Sequence, residues 1–147
     1  MINISELTEA SSSVLQSINE LLPQLSSSAQ VISMDRLSEL VESDNTIIFL
    51  GTDENDQILG MLSLIVMKIP TGNKAWIEDV VVDQTARGKG MGKALMNHAL
   101  ERAKKLSVKS VDLTSRPSRE TANMLYQSLG YQIRETNVYR HKISWFY

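Results

Sequence analysis

The sequence contains no cysteine. That excludes a disulfide framework, a thiolate nucleophile and a cysteine-ligated metal site. No apolar run approaches the ~18 residues of a membrane span. The first ten residues hold two acids and no base, whereas a secretory signal opens on basic residues followed by an apolar block. The expectation is a soluble cytoplasmic protein with no membrane partner. What is present suits one domain over residues 1–147. The apolar share is 42% and the charged share 22%, too apolar for a disordered chain. A chain this long can bury roughly two thirds of its unfolded surface.

Net charge is −2, but it is unevenly spread. Residues 1–83 hold 13 acids and 3 bases. Residues 84–109 hold seven bases (Arg87, Lys89, Lys93, Arg102, Lys104, Lys105 and Lys109) against Glu101 alone. Residues 110–147 hold five bases and three acids. A basic segment inside an acidic chain is either a solvated helix face or a site for a polyanion. Nucleic acid fits poorly, because the rest of the chain would repel it and the segment lacks interleaved aromatics.

Hydrophobic spacing predicts helices first. Val14, Ile18, Leu21, Leu22 and Leu25 recur at helical intervals, and Pro23 is expected to end that helix at Leu22. Ser33 can cap a second helix carrying Leu37, Leu40 and Val41. Residues 46–51, 58–69 and 76–82 read as strands, with turns at 53–56 and 70–73. Met91, Ala94, Leu95, Ala99, Leu100, Ala103 and Leu106 mark a long amphipathic helix. A short strand at 111–113 follows, then a helix carrying Ala122, Leu125 and Leu129 that stops at Gly130. Residues 131–134 and 138–143 are expected to close the chain as strands. The class is mixed α/β (α+β), a central sheet covered by helices.

The most informative stretch runs from Val80 to Lys93, where a strand passes through a short turn and the glycines Gly88, Gly90 and Gly92 into a helix. A helix N-terminus offers unpaired N–H groups and the positive end of its dipole. Alternating glycines let the backbone curl into a concave donor set that suits a phosphate or pyrophosphate. Two known phosphate loops fail. In a P-loop, Ala94 stands where Ser or Thr is needed and Arg87 where Gly is needed. A dinucleotide fingerprint begun at Gly88 or Gly90 meets Lys93 or Leu95 in place of its last glycine.

Arg87-Gly88-Lys89-Gly90-Met91-Gly92 does match the R/Q-x-x-G-x-G/A loop of the GNAT superfamily of N-acetyltransferases. The later run Ala122-Asn123-Met124-Leu125-Tyr126, followed by Leu129-Gly130-Tyr131, matches that family's A-x-x-L-Y and L-G-F/Y signature. The chain resembles this family over most of residues 76–131, and the order of elements on either side also fits. Where the family often has Asn three residues before that alanine, this sequence has Arg119. Residues 77–82 also look like the corresponding strand of glucosamine-phosphate acetyltransferases, over a short span only.

The resemblance implies a mostly antiparallel sheet of six to seven strands with about four helices. It implies direct transfer of an acetyl group from acetyl-coenzyme A to a primary amine through a ternary complex. A small-molecule amine is the expected acceptor. A protein lysine or N-terminus is the alternative, as is a non-catalytic acyl-coenzyme A-binding module. By resemblance, the N–H groups from Arg87 to Gly92, with Lys89 and Lys93, would hold the pyrophosphate. Val80 and Val82 would pair with the pantetheine arm, and Asn123 remains available to the cofactor. Tyr126 stands where the family places its general acid. Glu78 is the expected base, because regular alternation puts it on one face with Val80 and Val82; a bulge in this strand would spoil that parity and favour Asp79. No metal is expected. His98 reads as a surface residue. Trp76, Tyr139, Trp145, Phe146 and Tyr147 could line an acceptor pocket or an interface, and a homodimer suits so short a member.

Overall fold

The structure, a computed structural model, describes residues 1–144. It forms two compact units, Met1–Thr114 and Ser115–Tyr147. The first holds β1 (Asn3–Glu6), α1 (Ser12–Leu25), α2 (Met34–Glu42), β2 (Thr46–Thr52), β3 (Ile58–Ile69), β4 (Gly72–Val82), α3 (Met91–Lys105) and β5 (Val111–Asp112). The second holds α4 (Glu120–Ser128). Among the described residues no helix is long and apolar enough to cross a membrane.

The five strands lie in chain order, antiparallel from β1 to β4, with β5 parallel to β4. One face of the sheet, through Ile48, Leu50, Met61 and Val81, packs on Ile18 and Leu21 of α1 and Leu37 of α2. The other face receives α3. Gly60 and Gly51 are the contact points there. A Cβ on Gly60 would lie 2.7 Å from Met91 Sδ and 3.1 Å from Leu95 Cδ1, and one on Gly51 would lie 3.0 Å from Met91 Sδ. The missing side chains let the start of α3 sit close to β2 and β3.

Local chemistry sets the turns as expected. The Ser33 hydroxyl accepts from Arg36 N, 3.1 Å, and starts α2. Asp53 accepts from the Asn55 and Gln57 amides and closes the β2–β3 turn, with Asp56 at φ 59°.

Four expectations need correction. The sheet has five strands among the described residues, not six to seven. Residues 131–134 and 138–143 are not strands; a strand exists only through a ladder partner, and alternation by itself supplies none. No strand is expected before residue 46, yet β1 is one. It is four residues long and owes its conformation to pairing with residues 49–52 of β2. Pro23 does not end α1, which continues to Leu25. So near the terminus proline forfeits a single helical bond, the one to Asn19 O, and Ser26 N still reaches Leu22 O at 3.2 Å.

Candidate active site

β4 carries a bulge. Ser63 pairs with Glu78 and Met61 with Val81, so Leu62 stands opposite both Asp79 and Val80. Asp79 takes up the extra length in the left-handed region, φ 50°. Directly opposed residues of an antiparallel pair point to the same side. Met61 and Ser63 share a side, so Glu78 and Val81 share the face that α1 and α2 cover. Val80 and Val82 point to the α3 face, where Val82 pairs with Gly60. The expected grouping of Glu78 with Val80 and Val82 is therefore corrected. The bulge separates them, and Glu78 and Asp79 both remain exposed.

β5 pairs with β4 only at Ala75–Val111 and Trp76–Asp112. Among the described residues no strand pairs with residues 77–82 on that edge. β4 thus ends as a half-open strand beside the glycine loop.

After Val82 the chain makes a 3-10 turn, Gln84–Ala86, and enters α3. The Asp83 carboxylate caps the turn, accepting from Thr85 N at 2.9 Å and from the Thr85 hydroxyl. Gln24 of α1 clamps it from outside. Its Nε2 donates to Asp83 Oδ1 at 2.7 Å, and its Oε1 accepts from Gln84 N at 2.9 Å. The Gln24 amide, followed by Thr85, holds the Asp83 carboxyl below its usual range. A lowered folded value means stability that is present above pH 3.8 and lost as pH falls through the folded value. Asp83→Asn is expected to lower the melting temperature near neutrality and to flatten its fall below about pH 4. Parallel melting-temperature profiles of variant and parent would show that the carboxylate does not matter.

The glycine loop is shaped by its backbone. Gly88 and Gly90 have φ 77° and 89°, and Gly90 opens α3 with no side-chain cap. A Cβ on either would meet nothing within 4 Å. Glycine is required there by conformation, and the space beside it is open. Arg87, Lys89 and Lys93 are exposed around it, and Arg87 Nε donates back to Val82 O at 3.2 Å. Met91 is different from its neighbours. Its side chain is buried against Gly51 and Gly60. The first unit thus brings Val80, Val82, Arg87, Gly88, Lys89, Gly90, Met91, Gly92 and Lys93 together.

Asn123 and Tyr126 lie in the second unit on α4. Asn123 Nδ2 donates to Arg116 O at 2.9 Å, which ties the helix to the turn before it. The helix ends in a Schellman cap: Tyr131 N reaches Tyr126 O at 3.0 Å and Gly130 N reaches Gln127 O at 3.1 Å, with Gly130 at φ 96°. That cap is the physical content of the L-G-Y signature. It folds the Tyr131 ring edge-on to Tyr126, centroids 6.1 Å apart at 62°. Burial pushes the Tyr126 phenol above 10, and the Arg119 guanidinium partly opposes the rise. Gly130→Ala is expected to cost about 1–2 kcal/mol, the penalty of a side chain in the left-handed region, read as a lower melting temperature. An unchanged melting temperature would rule the cap out as a source of stability.

His98 is exposed, its Nδ1–H donating to Ala94 O at 3.0 Å. Trp76 is half-buried and Tyr139 exposed, while Trp145, Phe146 and Tyr147 lie outside the described residues. A bulge in β4 was allowed for as the departure from regular alternation that would favour Asp79, whereas Gln24 was missed as a site element. Gln24 acts across about 60 residues of sequence, and no local pattern marks such a contact.

Comparison with known proteins agrees with this geometry. The chain is 37% identical over 84 residues to a mycothiol acetyltransferase of Renibacterium salmoninarum, 56% of this chain and 25% of that one. It is 33% identical over 85 residues to the L-2,4-diaminobutyric acid acetyltransferase of Marinococcus halophilus, 58% of this chain and 48% of that one. The chain therefore spans a quarter and about half of these relatives. The crystal structure of glucosamine-6-phosphate N-acetyltransferase from Arabidopsis thaliana matches with a TM-score of 0.80 at 25% identity, covering 96% of this chain and 98% of that one. Residues 15–131 match the acetyltransferase (GNAT) family. That span takes in the bulged strand, the glycine loop and the capped tyrosine helix, and the chain belongs to the GNAT family of acetyltransferases.

Proposed function

We propose that residues 1–147 act as one cytoplasmic N-acetyltransferase domain that passes an acetyl group directly from acetyl-coenzyme A to a primary amine on a small molecule. The observation that carries this is the open glycine cradle at the start of α3, beside the end of β4 along which no strand runs among the described residues. The N–H groups of residues 88–93, with Arg87, Lys89 and Lys93, suit a pyrophosphate. The backbone of Val80 and Val82 suits an extended amide-bearing arm, held as an added strand. When bound, acetyl-coenzyme A supplies the activated thioester. Backbone N–H groups of the bulged β4 stabilise negative charge developing on the carbonyl oxygen. Glu78 or Asp79 takes the proton of the amine, directly or through water, so that it attacks as the free base. The Tyr126 O–H holds the proton that the departing thiolate needs. No cysteine exists to carry an acyl-enzyme, which supports transfer in a ternary complex. The relatives named for mycothiol, diaminobutyric acid and glucosamine-6-phosphate support a small acceptor.

The test is melting temperature with acetyl-coenzyme A, coenzyme A, and ATP with magnesium. A ligand at 100 times its dissociation constant adds about 2.7 kcal/mol, a rise of roughly 5–10 °C at this size. A rise with acetyl-coenzyme A and none with ATP is the expected result; no rise with acetyl-coenzyme A overturns the reading. Thiol release across an amine panel then separates a transferase from a module that only binds.

A further inference from the structure

The side-chain amide of Gln24 is fully committed. Its Nε2 donates to Asp83 Oδ1 at 2.7 Å and to Glu20 O at 3.4 Å, and its Oε1 accepts from Gln84 N at 2.9 Å. Turned over, the amide would set its oxygen against a carboxylate and a carbonyl, and its NH2 against an N–H. The contact therefore has a polarity, an amide on α1 meeting a carboxylate on the turn.

That carboxylate is unlike its surroundings. Asp83 is the one acid in residues 83–93, against Arg87, Lys89 and Lys93. The segment is tethered at both ends. At one end Met91 is buried against Gly51 and Gly60. At the other, Ala86 N donates to Asp83 O at 2.9 Å and closes the turn that Gln24 holds. Between the tethers residues 87–90 are exposed, and a Cβ on Gly88 or Gly90 would meet nothing within 4 Å. The direction of the loop's N–H groups is thus set by where its ends are held.

We infer that Gln24 is a positioning residue for the cofactor loop. By holding Asp83 and Gln84 it fixes the exit of β4, and with it the direction in which the loop presents its N–H groups to a pyrophosphate. The inference rests on the acetyl-coenzyme A reading above. An acid so close to the proposed anion site has this use, to receive the Gln24 amide.

The experiment is calorimetric titration of the full chain with acetyl-coenzyme A, below the melting transition of each variant. Gln24→Glu sets two carboxylates face to face. It is expected to bind roughly tenfold more weakly at about pH 8, the scale of one lost hydrogen bond to a charged group. Like charges in contact raise one of the two pKa values, so the pair shares a proton as pH falls, and the affinity of this variant should return towards the parent's at about pH 5. Arg87, whose charge acts on Asp83, is present in every variant. Asp83→Asn should also weaken binding roughly tenfold, although removing a negative charge beside an anion would by itself tighten it. The double variant Gln24→Glu/Asp83→Asn reverses the polarity at unchanged net charge. The new amide donates to the new carboxylate, which still accepts from Gln84 N, and binding at about pH 8 should come within about threefold of the parent. Single variants that bind as the parent does overturn the role of Gln24 alone. So does a double variant as weak as the single ones, or a Gln24→Glu affinity that follows pH no more than the parent's. A parent that binds no acetyl-coenzyme A overturns the cofactor reading and this inference with it.

Discussion

Tyr126→Phe is expected to lower acetyl transfer by roughly 10²–10⁴-fold, the range for loss of a positioned general acid, and to leave the melting-temperature rise with acetyl-coenzyme A unchanged, if the proposed role holds. The phenol is suited to this role by three features of the second unit. Desolvation on half-burial raises its pKa from the ordinary 10, which favours the protonated form further. The Schellman cap at Gly130 fixes the end of the helix from which it projects. The Tyr131 ring then limits its side-chain freedom. Phenylalanine keeps the ring packing and removes only the O–H, so folding is preserved. A raised folded value also contributes stability that is present below pH 10 and lost as pH rises through the folded value. The variant should therefore resist alkali better than the parent above pH 10. Turnover within twofold of the parent would remove Tyr126 from the chemistry, whatever the alkali result.

Leu95→Ala lowers stability by about 2–5 kcal/mol, the cost of lost burial plus the residual cavity. That is a fall in melting temperature of roughly 4–20 °C. Leu95 is fully buried and meets the sheet where Gly60 has no side chain. It lies one turn after Met91 on the same face of α3, so the two side chains seat the glycine-loop end of the helix on the sheet. Acetyl-coenzyme A affinity should fall with stability, because a loosely seated helix no longer holds its N–H groups in place. Asn97→Ala, on the exposed face of the same helix, is the control, expected within about 0.5 kcal/mol. If both variants melt together, the packing account of α3 is wrong.

What could be read in advance was local. Ser33 caps its helix because a hydroxyl three residues from an amide needs no tertiary help. Asp53 closes its turn for the same reason, and Gly130 marks the one residue whose backbone must turn left-handed. The glycine loop was legible as the entry to α3 because its glycines and bases sit within seven residues. What escaped depends on partners distant in sequence. The four residues of β1 are a strand only because β2 is there to bond them. Residues 131–143 alternate correctly and still form no strand, because alternation describes a surface and says nothing of what meets it. The extra residue at Asp79 reversed every face assignment after it, since a period of two has no tolerance for an insertion. Glu78 could be placed relative to Val80 only once Ser63 was known to pair with Glu78 and Met61 with Val81.

The Gln24 clamp has a thermodynamic consequence. One side-chain amide joins the last turn of α1 to Asp83 and Gln84, at the mouth of the glycine loop. α1 and the turn that leads into the glycine loop therefore shift together or break both hydrogen bonds. If the loop holds an anion as proposed, a ligand that displaced α1 would change the affinity for that anion, and the anion would change the affinity for the ligand by the same factor.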